Sequence, residues 1–187
     1  MRDFDHFSIL APYYDRLLPT GSEQKLLDLL ALSPQHCVLD AGGGTGRIAK
    51  ILREYVRQVV VVDISLGMLR EAEQKNKLQP VNSPTENMPF TTASFDRIVM
   101  TDALHHVIDQ AKTAQELWRV LKPGGWIVIE EPDIRTLAVK IIALGEKILL
   151  MRSHFLTPAR IGELFNFSLV PISIDTELNN AWIVVKR

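Results

Sequence analysis

The segment Val38-Leu39-Asp40-Ala41-Gly42-Gly43-Gly44-Thr45-Gly46-Arg47 gathers residue types that can hold a ligand. Glycines permit positive φ and let a bound molecule approach the backbone closely. A short apolar run precedes the loop and a helical pattern follows it. The first N–H groups of that helix, at its positive end, attract a carboxylate or a phosphate equally well. The next β-branched run, Gln58–Val62, leads to Asp63, 17 residues after Gly46. An acid at that place can accept hydrogen bonds from both hydroxyls of a ribose. Loop and acid together read as a site for an adenosine-containing cofactor. Gly44-x-Gly46-x-x-Ala49 satisfies the dinucleotide fingerprint, whereas Asp40-x-Gly42-x-Gly44-x-Gly46 fits a different loop. The glycines alone leave a nicotinamide dinucleotide open as the cofactor.

His105 and His106 follow the run Phe95–Thr101, which reads as a strand. Ligands of open α/β sheets lie at the carboxyl ends of the strands. Either histidine is therefore a candidate catalytic base, with an ordinary pKa of about 6.5; a helix-start residue or a piece of pocket wall is the plainer role. Being adjacent, with no third ligand at a usual spacing, they do not read as a metal pair. His6, His36 and His154 read as surface residues, and Cys37, beside a buried run, reads as core rather than as a nucleophile. Glu130, Glu131 and Asp133 fall just past a strand; they could touch an acceptor, and solvated loop acids are the plainer reading.

These groups need a scaffold, and the apolar pattern alternates between strand and helix. Ser22–Leu32 carries Leu26, Leu27, Leu29 and Leu30 on one face, with Thr20 and Glu23 at capping-box spacing. Cys37–Leu39 is a short buried run. Arg47–Tyr55 places Ile48, Ile51, Leu52 and Tyr55 at helical spacing. Gln58–Val62 reads as a strand buried on both faces. Ser65 can cap a helix that turns Leu66, Leu69 and Ala72 inward. Gln79–Asn82 is a weaker strand. Asp109–Leu121 has Ala114, Leu117, Trp118 and Leu121 on one stripe, and Lys122-Pro123-Gly124-Gly125 stops that helix before a strand over Trp126–Glu130. The order predicts an α/β fold, a Rossmann-like parallel sheet flanked by helices on both faces. A helix over Arg135–Met151 and a second opened by Thr157 and Pro158 come next. Leu169–Asp175 and Ala181–Val185, joined by a short link, predict a C-terminal antiparallel hairpin.

The chain has 187 residues, 47% hydrophobic and 23% charged, which fits one compact domain, 1–187, and excludes disorder. With 21 Lys and Arg against 22 Asp and Glu, the net charge of −1 argues against a nucleic-acid partner. A lone cysteine forms no internal disulfide, and a reducing, cytoplasmic setting is expected. Met1–His6 carries early acids and no apolar core of a signal peptide. Leu137–Met151 is the most apolar stretch. Its 15 residues are interrupted by Lys140, Glu146 and Lys147, short of the roughly 20 that span a bilayer. It is too apolar all round for an ordinary surface helix. It suits the wall of a greasy pocket, a dimer face or a peripheral contact with a membrane, or simply a cover over the sheet.

The motifs in order resemble the class I S-adenosylmethionine-dependent methyltransferases, in the small-molecule branch that includes the ubiquinone and menaquinone C-methyltransferases. Val38 to Gly46 resembles the first motif of that family. Val62-Asp63-Ile64-Ser65 with Met68-Leu69 and Ala72 resembles the second, and Glu86-Asn87-Met88-Pro89-Phe90 with Ser94-Phe95-Asp96 resembles the third. Leu104-His105-His106-Val107 and Arg119 to Gly125 resemble later ones. The resemblance implies a seven-stranded, mostly parallel sheet ending in the hairpin, S-adenosylmethionine as cofactor, and a small, quinol- or phenol-like acceptor; the alternatives are a catalytically weak S-adenosylmethionine-binding module acting through a partner and an NAD-dependent oxidoreductase.

The same resemblance implies roles. Gly42, Gly44 and Gly46 pass close to the methionine portion of the cofactor; Asp40 orients that loop and the ammonium group; Asp63 holds the ribose; Thr101 lies near the methionine part. Tyr14, in an N-terminal segment over 1–20, closes over the cofactor, and the helices of 135–166 cover the substrate side. Ile64, Met68, Thr85 and Glu86 complete the cofactor set. One departure stands out: the family commonly has Asp before Ala-Glu in the third motif, and here Ser83-Pro84-Thr85-Glu86 occurs instead. Adenine must then be held by the Thr85 backbone, by Ser83, or by packing against Met68 and Met88. Methyl transfer is an in-line displacement that needs alignment and exclusion of water more than a fixed catalytic constellation. One cysteine also excludes the arsenite-methylating relatives, which hold arsenic with several thiols.

Overall fold

A computed structural model describes residues 11, 23–75, 77–148, 153–166 and 170–187. Strands β1 (Cys37–Ala41), β2 (Gln58–Asp63), β3 (Leu78–Asn82), β4 (Phe95–Thr101), β5 (Leu121–Pro132), β6 (Ile172–Glu177) and β7 (Asn180–Lys186) form one sheet in the order β3-β2-β1-β4-β5-β7-β6. The first five run parallel; β7 pairs antiparallel with both β5 and β6. Helices α1 (Glu23–Leu30), α2 (Arg47–Leu52), α3 (Leu66–Glu73), α4 (Gln110–Val120), α5 (Leu137–Ile148) and α6 (Pro158–Glu163) surround it. The expected sheet and its terminal hairpin are both present.

The period-2 alternation of strand side chains divides the core in two. Leu39, Val60, Ile98 and Ile127 face α4, which contributes Ala114, Leu117 and Val120. Val38, Val59, Val99 and Val128 face the other way, against Leu26 and Leu30 of α1 and Ile48 and Leu52 of α2. Because both faces are covered, Val59 to Val62 are all buried, and a continuous β-branched run was the right signal for β2. Ser65 caps α3 by accepting from Met68 N at 3.4 Å, Asp109 caps α4 by accepting from Lys112 N, and Thr157 caps α6 with Pro158 just inside.

Several boundaries differ from the sequence reading. The Lys-Pro-Gly-Gly stretch lies inside β5 rather than in a turn before it. The register jumps from Phe95↔Leu121 to Arg97↔Trp126, so the glycines occupy a bulge on the longer strand. Gly124 adopts φ +77°, and the bulge is closed by Gly124 N to Arg187 O and Arg187 N to Gly125 O, both 2.9 Å. Helix α2 ends at Leu52, three residues short of Tyr55; the first hairpin strand spans Ile172–Glu177, and Leu169, its expected start, lies outside the described residues. Tyr14, Thr20, Ser22 and the end of the Leu137–Met151 run lie outside the described residues. Within α5, Val139 is buried, whereas Leu137, Ile141 and Leu144 are exposed. Among the described residues, no helix is long and apolar enough to cross a membrane.

Candidate functional site

The sheet order places β2 on one side of β1 and β4 on the other, so the loops after β1 and β4 diverge and leave a crevice at the carboxyl ends of the strands. A cavity of about 480 Å³ opens there, lined by Gly42, Gly43, Gly44, Asp63, Ile64, Met68, Thr85, Glu86, Thr101, Asp102, Ala103 and His106, among others.

The glycine loop shows what its residue types are for. Gly42, Gly44 and Gly46 take φ of 69°, 54° and 72°, a region that L side chains rarely adopt. Gly42 N and Gly43 N donate to Val62 O at 2.8 and 3.1 Å, and Gly46 N donates to Gly43 O at 2.8 Å. Gly44 N donates to Asp63 Oδ2 at 2.9 Å, while Asp63 Oδ1 accepts from Ser65 N at 2.8 Å. These loop N–H groups point into the protein, whereas a phosphate cradle needs them turned toward the ligand. The loop offers a ligand bare Cα surface beside one carboxylate. That combination fits the neutral ribose and the amino-acid portion of S-adenosylmethionine better than the pyrophosphate of a dinucleotide.

Gly46 and Asp40 serve the loop from behind and do not line the cavity. Gly46 precedes α2, and a Cβ there would come 2.7 Å from Leu78 Cδ1 and 3.2 Å from Ala72 Cβ, so its role is close packing. Asp40 is fully buried; its Oδ2 accepts from Ala49 N at 3.1 Å, and its Oδ1 has no hydrogen-bond partner. Burial pushes its carboxyl up to about 7. A Cβ on Gly43 would lie 2.6 Å from Asp40 Cγ, so the carboxyl group supports the loop by contact.

On the side where the resemblance would place adenine, Met68, Pro84, Thr85 and Asn87 line the cavity. Ser83 is committed to its own turn, its hydroxyl donating to Asn87 O at 2.9 Å or Pro84 O at 3.2 Å. Met88 is buried off the cavity wall, so neither Ser83 nor Met88 meets the expectation of an adenine contact. The Thr85 hydroxyl pairs with that of Thr113 at 3.1 Å. Glu86 reaches the cavity but also holds the loop after β4, its Oε1 accepting from Ile108 N at 3.0 Å and Asp109 N at 3.2 Å.

The geometry separates the two histidines. His106 lines the cavity, with Nδ1 3.3 Å from Ser153 Oγ; burial, with His105 beside it, pushes its imidazole down to about 3, so it is neutral near pH 7. His105 is buried behind the wall, with Nδ1 2.6 Å from Glu131 Oε2. It has no place on the cavity surface from which to act as a base. The three acids are buried, contrary to expectation: the strand continues to Pro132 and includes Glu130 and Glu131, while Asp133, just past its end, is held by local contacts. Glu130 accepts from Asn180 Nδ2 at 2.7 Å, Glu131 meets His105, and Asp133 is held by Arg135, whose guanidinium keeps the carboxyl below its usual range. Cys37 is core, and burial raises its thiol.

Sequence reasoning missed Asp102 and Ala103. Asp102 holds φ +53° without being glycine, and Ala103 touches the Gly42 position. No sequence signal marks either one.

Comparison with known proteins bears on the family and the fold. A family described as a methyltransferase domain matches residues 39–129. The ubiquinone/menaquinone biosynthesis C-methyltransferase UbiE of Coxiella burnetii is 36% identical over 111 residues, 54% of this chain and 44% of that protein. A demethylmenaquinone methyltransferase of Clavibacter sepedonicus is 33% identical over 136 residues, 67% of this chain and 56% of that protein. The chain thus spans about half the length of these curated relatives. Among solved structures, the putative methyltransferase in complex with the Haloferax volcanii Trm112 activator superposes with a TM-score of 0.81 at 17% identity, over 98% of both chains. A Thermotoga maritima S-adenosylmethionine-dependent methyltransferase gives 0.80 at 19%, over 96% of this chain and 97% of that one. These two show the fold. The family match and the curated relatives place the chain among the class I S-adenosylmethionine-dependent methyltransferases, where it resembles the ubiquinone and menaquinone C-methyltransferases.

Proposed function

We propose that the chain binds S-adenosylmethionine in this cavity and transfers the methyl group to a small, lipophilic acceptor of the quinol or phenol kind. The observation that carries this reading is the rim shared by Gly44 and Asp63. There a side-chain-free backbone and a carboxylate on a strand end stand at one cavity mouth, with the loop N–H groups turned away. The apolar mouth, where Ile64 and Ile108 stand exposed, supports a lipophilic acceptor, and so do the quinone-related names of the curated relatives.

S-adenosylmethionine supplies a methyl carbon already activated by its sulfonium. Asp63 would accept hydrogen bonds from the ribose hydroxyls. Gly42 and Gly44 admit the methionine portion, and Met68 and Thr85 flank the adenine. On the other wall, Thr101 to Ala103 and His106 would face the acceptor. Bound there, S-adenosylmethionine would supply the methyl group to the acceptor's nucleophilic carbon or oxygen, with S-adenosylhomocysteine as the leaving group and water as the taker of the acceptor proton. His106, with its basicity held low, suits a hydrogen-bond partner for the acceptor oxygen better than a strong base.

The test is a thermal melt with S-adenosylhomocysteine and, separately, with NAD. A ligand at 100 times its Kd stabilises by about 2.7 kcal/mol, a shift of roughly 5–10 °C for this size. A shift with S-adenosylhomocysteine alone supports the reading. A shift with NAD alone returns the site to dinucleotide chemistry.

A further inference from the structure

Glu131 matches no motif, yet it organises one wall of the cavity. Its Oε1 accepts from Ala103 N at 2.9 Å and Leu104 N at 2.7 Å, and its Oε2 meets His105 Nδ1 at 2.6 Å. Three consecutive residues hang on one carboxyl group, and both members of the Glu131–His105 pair are almost wholly buried. The turn they hold begins at Asp102, whose left-handed φ of 53° persists only where the surroundings fix it. The other side of the turn is fixed as well. His105 O accepts from His154 N at 2.6 Å, and the His105 ring stacks on Phe155 at 4.3 Å and 15°. Gln110 Nε2 lies 3.0 Å from Leu104 O and 2.7 Å from His154 O and donates to both. The next residue is His106, which faces the cavity with its ring centroid 4.0 Å from that of His105.

We propose that Glu131 and His105 are positioning residues for the acceptor side of the cavity, clamping the turn after β4 to residues 153–155 so that His106 is presented in a single orientation. The assignment rests on reading the cavity as a methyl-transfer site. Cohesion alone does not call for such a pair, since well-packed apolar residues serve a core as well as a buried polar pair does. Orientation does call for it, because in-line displacement loses rate steeply when a positioning group shifts by an ångström.

Two variants separate positioning from packing. Glu131→Gln keeps the shape and can still accept from Ala103 and Leu104, but its amide nitrogen opposes a proton on His105 Nδ1 and favours the other tautomer. His105→Phe keeps a ring on Phe155 and removes the nitrogen. NMR of the imidazole groups in the intact chain reads the result, alongside calorimetry with S-adenosylhomocysteine. The wild type is expected to show a downfield His105 N–H proton, and both variants are expected to lose it, with the His106 ring resonances shifted or doubled and the S-adenosylhomocysteine affinity unchanged. A control, Asp96→Asn, breaks the 2.9 Å contact with Lys122 at the start of strands β4 and β5, the end away from the cavity. It is expected to lower the melting temperature without moving the His106 signals. If the two variants lower the melting temperature while the His106 resonances stay at their wild-type positions, the pair is packing and the proposal is overturned. If Glu131→Gln does not fold, His105→Phe carries the test. If the wild type fails to bind S-adenosylhomocysteine, the methyl-transfer reading falls, and the NMR result still decides whether the pair positions His106.

Discussion

The two walls of the cavity are built differently. On the β1–β2 side, backbone at Gly42 to Gly44 forms part of the ligand-facing surface, flanked by Arg47, Ile48, Ile64 and Met68, and its one carboxylate, Asp63, is tied to N–H groups of its own and the adjacent loop. On the β4–β5 side, the surface is made of side chains and turns held by partners remote in sequence: Glu131 under Ala103 to His105, Glu86 under Ile108 and Asp109, Ser153 beside His106. The first construction suits a ligand whose shape never changes. The second can be rebuilt for a new acceptor by altering loops while the sheet stays as it is.

The sharpest way to break that division is at the point where the walls touch. A Cβ on Gly42 would lie 2.7 Å from Ala103 Cβ, at φ +69°. Gly42→Ala combines the left-handed penalty of about 1–2 kcal/mol with overpacking of about 1–3 kcal/mol, and calorimetry should find no S-adenosylhomocysteine binding. Gly44→Ala meets nothing nearer than 3.9 Å and incurs only the backbone term, so its melting temperature should fall less. The reverse order would mean that the walls do not meet at Ala103.

Asp40 tests whether the backbone wall rests on a strained support. In an unfolded chain its carboxyl titrates at about 4, and in the fold at about 7. Between those values the folded state holds a proton that the unfolded state has lost. The stability this group contributes is therefore present at low pH and disappears as pH rises toward 7. Three pH units correspond to roughly 4 kcal/mol. In urea denaturation, the stability of the wild type relative to Asp40→Asn should decline by up to that amount over this window and stay level above it. A level difference throughout would show that the buried carboxylate is matched in solution.

Asp63→Ala should be milder on stability and specific to the ligand. It removes two backbone hydrogen bonds at the rim. With the charge-assisted bonds to the ribose hydroxyls lost, at about 1.5–3 kcal/mol, S-adenosylhomocysteine affinity should fall roughly 10- to 100-fold. If affinity holds, the ribose lies elsewhere.

The same division explains what the sequence made legible. The backbone wall announces itself, because positive φ demands glycine and a parallel strand buried on both faces demands β-branched residues, as at Gly42, Gly44 and Val59 to Val62. Asp63 follows from its place at a strand end. The other wall is silent. Nothing local marks Glu131 as the anchor of a turn 27 or 28 residues earlier, since its partners are two backbone N–H groups and a histidine nitrogen. Asp102 looks like any loop acid until its φ is seen. The two histidines, identical in the sequence pattern, part company because a one-residue step in a tight turn sends one ring inward and the next into the cavity. The Lys-Pro-Gly-Gly bulge was misplaced for a related reason: glycine and proline mark both helix ends and strand bulges, and only pairing with Arg187 decides between them.

The smallest expected effect concerns α5, which follows the carboxyl end of β5. Val139 is 1% exposed and Ile141 is 63% exposed, two residues apart and so on nearly opposite faces of the helix. Val139→Ala removes two buried methyl groups and should cost roughly 2 kcal/mol, whereas Ile141→Ala should stay within about 0.5 kcal/mol, both by urea denaturation. Equal costs would break the comparison in a useful way. They would mean that the apolar face of Leu137, Ile141 and Leu144 is covered in solution, and that the acceptor wall includes more than the described elements supply. Repeating the melt over a range of protein concentrations then identifies the cover. A melting temperature that rises with concentration points to a second copy, because an association that stabilises the folded state depends on mass action, whereas a cover from the same chain does not.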